Sequence, residues 1–530
     1  MYAPRDTQSG FAAIMRKVLI VILPLALLDV LCLPALAKKT TYRFTALPEL
    51  DGNASRAFGG VSDPDLGYLR VAGEARTASG TWQAAVWRSV DEGRIWEVRG
   101  LPGLGYANSV AYNLTIVGSP TGKVVASGAF YDEGQFPAPA RWERLPGEDW
   151  VGTLLPTLDG GQTGEEIATG TDDSGNVLGV GWSRTNVGVK RAVFWESDDQ
   201  GGWQITGLPS LSRGAEAQAN SVDGADSLLW IVAGFSYDAV DRMQPVIWEF
   251  EPGQGWRVGR LPLPSDGVTG QAVDFDGEYL GQEGGEIAGS YEDAEGNTHA
   301  ISWYYDDATQ RWELVDLREL PGYANGQALS VLHPYDQNEW EIVVGSCDNG
   351  PGTAVATMWQ IDQFGTVSST DLNASTFGAD GWVLEVATNS FSNAWDVIWI
   401  PLTVVGNGIR TGLADDPHAF ALIEPRLDLF EPVPGIAGVD NTFRIERCTP
   451  FERIHIIRGF VDGLVNVPGC PGSQLHIANP AIAGIVVADA DGVAELTAFV
   501  PPFAHGKRVL MQAVEHGNCD VSNLVDYTFP

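Results

Sequence analysis

The chain reads as an all-β protein, and three observations carry that expectation. Its 530 residues include 63 glycines and 18 tryptophans, and beyond the amino terminus almost no run of Ala, Leu, Glu and Lys falls at helical spacing. A strand of the form small-x-x-aromatic recurs as AAVW (84–87), PARW (139–142), AVFW (192–195), PVIW (245–248), AISW (300–303) and ATMW (356–359), at intervals of 53 to 56 residues. Turn residues separate the copies. Short strands at this period belong to architectures in which each unit buries its apolar face against the next, so the repeat predicts a propeller or a solenoid.

Each repeat divides into four strands. An apolar strand with a glycine precedes the tryptophan strand, at Gly73, Gly128, Gly181, Gly234, Gly289, Gly345 and Gly406. After the tryptophan, a turn leads to another strand ending on Leu101-Pro102, Leu155-Pro156, Leu208-Pro209, Leu261-Pro262 or Leu320-Pro321, with Leu372-Asn373 a degenerate copy. A further strand opens each unit, as in YANSVAYN (106–113) and AQANSVDG (217–224). Four short strands per repeat make a propeller blade.

The seventh tryptophan strand is degenerate, Ala419-Phe420-Ala421-Leu422, and its Leu422 lies 63 residues after Trp359, which leaves six blades plus an irregular region open. No Leu-Pro strand follows it. Residues 42–48, YRFTALP, match residues 96–102, WEVRGLP, and stand alone ahead of the first unit. The expected fold is therefore a seven-bladed β-propeller closed by the N-terminal strand, which removes two exposed sheet edges. The repeating tryptophans are read as packing between blades, because aromatics at one fixed strand position bury large areas there. Trp82, Trp340, Trp382, Trp395 and Trp399 fall outside the repeat.

The Ala-x-x-Trp strand, the glycine strand before it, the Leu-Pro exit and the His418-Ala419-Phe420 triplet resemble the bacterial extracellular HAF-repeat family, over about residues 42–424. The resemblance implies secretion and a propeller-like fold. It supplies no catalytic residues.

Arg16 and Lys17 precede the apolar run of residues 18–37, which ends on Ala35-Leu36-Ala37; this is the pattern of a secretory signal cleaved after Ala37. An uncleaved membrane anchor is the competing reading, disfavoured by Pro24 and Asp29 inside the run. The mature chain is expected outside the cell, with no membrane attachment. Lys and Arg number 32 against 68 Asp and Glu, a formal net charge of −36, which repels nucleic acid and anionic membranes. The domain reading is 1–37 signal, 38–424 propeller and 425–530 a β-sandwich. The last part follows from alternating runs such as RLDLFEPVPGIAGVDNTFRIERC (426–448) and from two strands about Asp489-Ala490-Asp491-Gly492. Four cysteines remain after cleavage and allow three connectivities, among which sequence does not choose; three of them lie in the last 83 residues, which favours one bridge there, with Cys448–Cys470 the first expectation.

Chemical motifs are sparse. No G-x-S-x-G elbow, phosphate-cradling glycine loop or zinc spacing is present. Sialidase-type chemistry needs a tyrosine nucleophile with an arginine cluster, and no such cluster recurs at matching repeat positions; glycosidases need two facing carboxylates, which a chain this acidic could supply. Phe443-Arg444-Ile445 matches part of a sialidase signature but lies in the carboxy-terminal domain and is followed by Glu446. Calcium is the one metal considered, at Asp489-x-Asp491-Gly492 and Asp274-x-Asp276-Gly277, and both are better read as hairpin turns. Ser89-x-Asp91-x-Gly93-x-x-Trp96 matches the Asp-box of sialidase-type propellers, yet it sits at a peripheral hairpin whose other copies lose the box and keep the aromatic.

Propellers bind through loops on one face, and the loops between second and third strands place Arg184, Tyr237, Arg242, His299, Arg410 and His418 there, with Asp241, Glu292, Glu295 and Asp416 beside them. The favoured reading is a secreted, non-enzymatic binding scaffold for an extracellular glycan or protein. The alternatives are a secreted glycoside hydrolase or sialidase-like enzyme acting in the propeller channel, and a calcium-stabilised surface adhesin.

Overall fold

Seven sheets follow one another along residues 42–423, antiparallel except for the parallel pairing of Tyr42–Ala46 with Thr376–Phe377 in the last, and the same local irregularity recurs in each. The computed structural model describes residues 42–51, 54–63, 68–89, 95–117, 122–171, 176–197, 202–226, 229–277, 285–306, 308–332, 341–362, 365–377, 382–393, 400–410, 416–423, 427–470, 473–489, 492–517 and 519–530. The signal segment, the Asp-box turn, Trp340, Trp395, Trp399 and Asp491 lie outside the described residues. The class is all-β as expected, and the described residues hold no helix long and apolar enough to cross a membrane.

Six sheets have four strands hydrogen-bonded in sequence order. The third sheet is typical, with strands Gly164–Thr171, Val177–Arg184, Lys190–Ser197 and Trp203–Gly207. In all seven first strands the ladder slips by one residue at the same point, at Ala57/Gly59, Ala111/Asn113, Glu166/Ala168, Ala219/Ser221, Ala272/Asp274, Ala328/Ser330 and Ala387/Asn389. Such a bulge bends a strand and re-aims its side chains.

The bulge explains the repeated glycine. A Cβ built on Gly73, Gly128, Gly181, Gly234, Gly289, Gly345 or Gly406 would fall well inside contact distance of a first-strand carbonyl oxygen, that of Arg56, Val110, Glu165, Gln218, Gln271, Gln327 and Val386 in turn. At Gly73, Gly128, Gly234 and Gly289 the same Cβ would also press on the repeat tryptophan ring. Close backbone approach requires glycine here, and no positive φ is involved.

The tryptophans join consecutive sheets. Trp87, Trp142, Trp195, Trp248, Trp303 and Trp359 are all fully buried. Their indole N–H groups donate to the exit carbonyls of the preceding unit: Pro48, Pro102, Pro156, Pro209, Pro262 and Arg318, at 2.6 to 2.9 Å. The sixth acceptor corrects one sequence expectation. The exit leucine of the fifth sheet is Leu317, whose N–H bonds Ala300 O at 3.3 Å, so Leu317-Arg318 occupies the place expected for Leu320-Pro321.

The seventh sheet has the order Thr376–Phe377, Tyr42–Ala46, His418–Ile423, Ile400–Arg410, Trp382–Asn393. The N-terminal strand pairs antiparallel with His418–Ile423 through Arg43↔Ile423 to Ala46↔Phe420, and Leu47 N–H bonds Ala419 O at 3.1 Å. First and seventh sheets also meet directly. Asn407 Oδ1 accepts from Ala57 N–H at 2.8 Å, Thr388 Oγ1 donates to Ala57 O at 3.0 Å, and one apolar core contains Leu69, Val71 and Trp87 with Val405, Ala419 and Ala421.

Among the described residues no strand pairs across residues 424–427. Beyond them, a three-stranded sheet (Asp428–Leu429, Asp440–Glu446, Ala494–Phe499) and a five-stranded sheet (Ala481–Val487, Arg453–Gly459, Arg508–Glu515, Asp520–Val521, Val525–Thr528) share a core that includes Phe443, Ile445, Ile454, Ile456, Met511 and Val525. The strands flanking residues 489–492 enter different sheets, so that turn joins two layers and is not a hairpin. The disulfide joins Cys470 to Cys519, with Cα atoms 5.3 Å apart, in place of the expected Cys448–Cys470 pair. Cys448 is a buried free thiol in the core between the two sheets, whereas Cys470 packs in a separate cluster beside Cys519. Sequence proximity gave no information about which layer each cysteine faces.

Candidate functional site

The first-strand residue whose carbonyl meets the glycine differs from sheet to sheet: Arg56, Val110, Glu165, Gln218, Gln271, Gln327 and Val386. Its neighbour on the bulge side is alanine in six cases and Glu166 in the third. The fold therefore fixes the backbone at one repeat position and leaves its side chain free to vary, and the polar clusters gather around that position.

The first cluster runs across the second, third and fourth sheets. Tyr112 and Tyr131 hydroxyls lie 2.9 Å apart, and Tyr131 donates to Glu165 Oε1 at 2.5 Å. Trp182 Nε1–H donates to the other carboxylate oxygen at 3.0 Å, which fixes the orientation of Glu165. Lys190 stands 4.7 Å over the Trp182 ring and 5.8 Å over Phe235, and its ammonium bonds Gln218 Oε1. Gln218 Nε2 continues to Asn220 Oδ1 at 2.7 Å, and Asn220 Nδ2 to Ala272 O at 2.7 Å. On the first sheet Arg56 bonds Glu74 at 2.8 Å and lies 4.7 Å from the Trp82 ring centroid.

Electrostatics set the protonation states. Burial, then the negative charge of Glu165, raises the Tyr131 hydroxyl above its ordinary range, and the same two causes raise Tyr112. Both stay protonated at neutral pH. Burial lowers the Lys190 ammonium, opposed by Glu165 and Glu216. Burial also raises Glu74, with the Arg56 charge acting against it.

The second cluster lies on the fourth to sixth sheets and borders a groove of about 390 Å³. Tyr291, Gln271, Thr298, Asn325, Gln327 and Asp348 are among its lining residues, and Met243 is the one aliphatic side chain beyond them. Behind Tyr291 the His299 ring stacks at 4.9 Å and 28°. His299 Nδ1 meets Glu319 Oε1 at 2.8 Å and Nε2 meets Asp293 Oδ2 at 3.1 Å. Burial works against a charged ring, but the two carboxylates prevail and the His299 pKa is raised. Asp293 is held far below the carboxylate range, by the Asn297 side chain first and against its own desolvation. Burial and four surrounding carboxylates push the Tyr291 hydroxyl up to about 12.

Of the six expected site residues, the structure brings three to these clusters. Arg184 lies 5.9 Å from the Trp182 ring centroid, Tyr237 packs edge-on to Phe235 at 6.1 Å, and His299 backs the groove without lining it. Arg242 bonds Asp238 within its own turn at 3.3 Å. His418 is buried, bonded to Glu49 at 3.0 Å and edge-on to Trp382, so it is a core histidine. Arg410 is exposed at the end of Ile400–Arg410, on the seventh sheet, and is not among the groove's lining residues. Sequence reasoning missed Tyr112, Tyr131, Glu165, Lys190 and Tyr291, because they lie on strands and not in loops.

The acidic turn at residues 274–277 is corrected likewise. Asp274 and Asp276 belong to the first strand Gly267–Asp276, and Asp274 accepts from Ser221 Oγ at 3.0 Å and Val331 N–H at 3.2 Å. Among the described residues, no three His, Cys, Asp or Glu side chains are grouped as a metal site.

No family model and no curated protein matches the chain. Several solved structures are loosely similar. A protein of unknown function from Dyadobacter fermentans is 11% identical over 72% of this chain and 98% of its own, with a TM-score of 0.42. An ulvan lyase, from a polysaccharide lyase family, is 11% identical over 72% and 94%, with a TM-score of 0.44. A Trypanosoma rangeli sialidase is 11% identical over 92% and 94%, with a TM-score of 0.37. At these values none of the three transfers an activity to this chain.

Proposed function

We propose that the chain is an exported seven-bladed β-propeller with a carboxy-terminal β-sandwich, a member of the HAF-repeat type, that cleaves a glycan at the mouth of its channel. Seven sheets with one shared bulge, joined first to last through Asn407, Thr388 and the N-terminal strand, support the closed ring. Arg16, Lys17 and the apolar run ending at Ala37 support export.

The observation that carries the enzymatic reading is the 2.5 Å bond from the Tyr131 hydroxyl to Glu165, with Glu165 itself oriented by Trp182. A nucleophile, an adjacent base and a group that orients the base form the general arrangement of nucleophilic catalysis. Because its pKa is raised, Tyr131 does not attack as a free phenolate; Glu165 takes the proton as the phenolic oxygen bonds the anomeric carbon and the glycosidic C–O bond breaks. The proton then passes to the departing oxygen. In a second step water attacks the anomeric carbon and gives a proton to Glu165 while the bond to the tyrosine oxygen breaks; Glu165 returns that proton to the departing Tyr131 oxygen, which restores both groups and frees the sugar.

This reading takes the enzyme alternative over the binding scaffold for a physical reason. The decisive pair joins two different sheets, Tyr131 from the second and Glu165 from the third, and neither sits in a loop. The mature chain should release new reducing ends from at least one member of a panel of extracellular polysaccharides. Retention on a polysaccharide column with no product from any of them would return the binding scaffold to first place.

A further inference from the structure

The groove on the fourth to sixth sheets lies beside the Tyr131–Glu165 pair in the repeat order yet shares no residue with it. Its volume of about 390 Å³ is within the range of small-ligand sites. Two of its lining residues, Gln271 and Gln327, occupy the variable repeat position on neighbouring first strands. Both are partly accessible, and their side-chain amides make no hydrogen bond to other described residues. Gln218, the equivalent residue one sheet earlier, is by contrast engaged by Lys190 and Asn220.

An unengaged carboxamide offers an acceptor and two donors side by side. A sugar hydroxyl, which both donates and accepts, matches that pair. A carboxylate, which only accepts, does not. The lining includes the carboxylates of Glu292 and Asp348 and no lysine or arginine, so phosphates, uronates and sialates are repelled. The near-absence of aliphatic lining argues against a peptide, whose recognition needs apolar pockets. The wall is held in place from behind, where His299 stacks on Tyr291 and is fixed at both ring nitrogens by Asp293 and Glu319.

We infer that this groove binds an uncharged sugar residue of a glycan, with Gln271 and Gln327 as its hydrogen-bonding groups and His299 as a positioning residue. The inference extends the glycan-cleaving reading above, but its binding step stands without turnover. In a sulfate- or uronate-bearing glycan, the groove would therefore accommodate the neutral unit.

The test is binding of neutral oligosaccharides to the mature chain by titration calorimetry: linear pentasaccharides of glucose, mannose, xylose and rhamnose, with oligogalacturonate as the anionic comparison. At least one neutral oligosaccharide should bind better than the oligogalacturonate. Gln271→Ala and Gln327→Ala should each weaken that binding about tenfold, since each removes a paired hydrogen-bonding group. Thermal melting of each variant separates loss of binding from loss of fold. No binding of any neutral oligosaccharide, preference for the uronate, or glutamine variants that fold and bind normally would each overturn the inference. If the glutamine variants lose binding while no polysaccharide is ever cleaved, the groove stands and the enzymatic reading falls.

Discussion

Arg141 and Glu166 form an ion pair between the second and third sheets with both side chains completely shielded from solvent. Arg141 Nε also donates to Glu166 Oε2 at 3.2 Å, Nη2 donates to Leu178 O at 3.1 Å, and the guanidinium lies 4.0 Å from the Trp203 ring centroid. Nη1 finds no acceptor among the described residues. At the place of Glu166 the other six first strands carry alanine, and before the tryptophan the other units carry Val86, Phe194, Ile247, Ser302, Met358 and Ala421. The two exceptions to the repeat thus occur together and satisfy one another.

Removing one partner strands a buried charge, whereas replacing both can be neutral or stabilising. Arg141→Met and Glu166→Ala should each lower stability by about 3–5 kcal/mol. The double variant, which restores the composition of the other units, should recover most of that loss. Chemical denaturation of the four proteins checks it, and a double variant as unstable as the sum of the singles would contradict it.

The repeated glycines make a sharper steric prediction. Gly234→Ala places a methyl group against Gln218 O and the Trp248 ring, while Gly103→Ala places one in open space. The first should cost about 1–3 kcal/mol, as overpacking does. The second should stay within about 0.5 kcal/mol of the wild type. Comparable melting temperatures for the two variants would remove the steric explanation of the glycine strand.

The N-terminal strand contributes buried Tyr42 and Leu47 and the Pro48 carbonyl that receives Trp87. A chain beginning at residue 49 exposes the His418–Ile423 edge, and such edges recruit other strands. That chain should melt at lower temperature and aggregate. A synthetic peptide of residues 38–51 added in excess should raise its melting temperature by mass action. A truncated chain as stable and soluble as the full one would show that the pairing contributes nothing.

His299 predicts a pH dependence with a definite sign. A folded pKa raised above the ordinary value of about 6.5 means the folded chain holds the proton more tightly than the unfolded chain. The resulting stability is fully present below about pH 6.5 and is lost as pH rises through the folded value. The melting-temperature advantage of the wild type over His299→Gln should therefore be larger at pH 5.5 than at pH 8.5. An advantage that grows with pH would reverse the assignment.

Most of the fold was legible because the repeat is a packing device. The tryptophan, the glycine before it and the exit leucine each answer a steric demand that recurs in every unit, so periodicity exposed them. Leu320-Pro321 misled because Leu317-Arg318, without the proline, supplies the same carbonyl. The Cys470–Cys519 pairing was not legible, since layer assignment in the carboxy-terminal domain depends on contacts between distant strands. The site was hidden for a related reason. The residues expected from the sequence lie in loops, yet the variation lies on a strand, in the residue before one that is alanine in every unit but the third: Arg56-Ala57, Glu165-Glu166, Gln218-Ala219, Gln271-Ala272 and Gln327-Ala328. Aligning the units on the glycine carbonyl partner would have displayed it.

The central claim is that Tyr131 and Glu165 perform the chemistry of glycan cleavage. It is tested most directly by comparing product release by the wild type and Tyr131→Phe on the polysaccharide that the wild type cleaves, with binding of that polysaccharide measured in parallel. Removal of the nucleophilic hydroxyl should lower kcat by at least about 100-fold and leave binding within about twofold. Release at the wild-type rate by a folded Tyr131→Phe protein would contradict the claim.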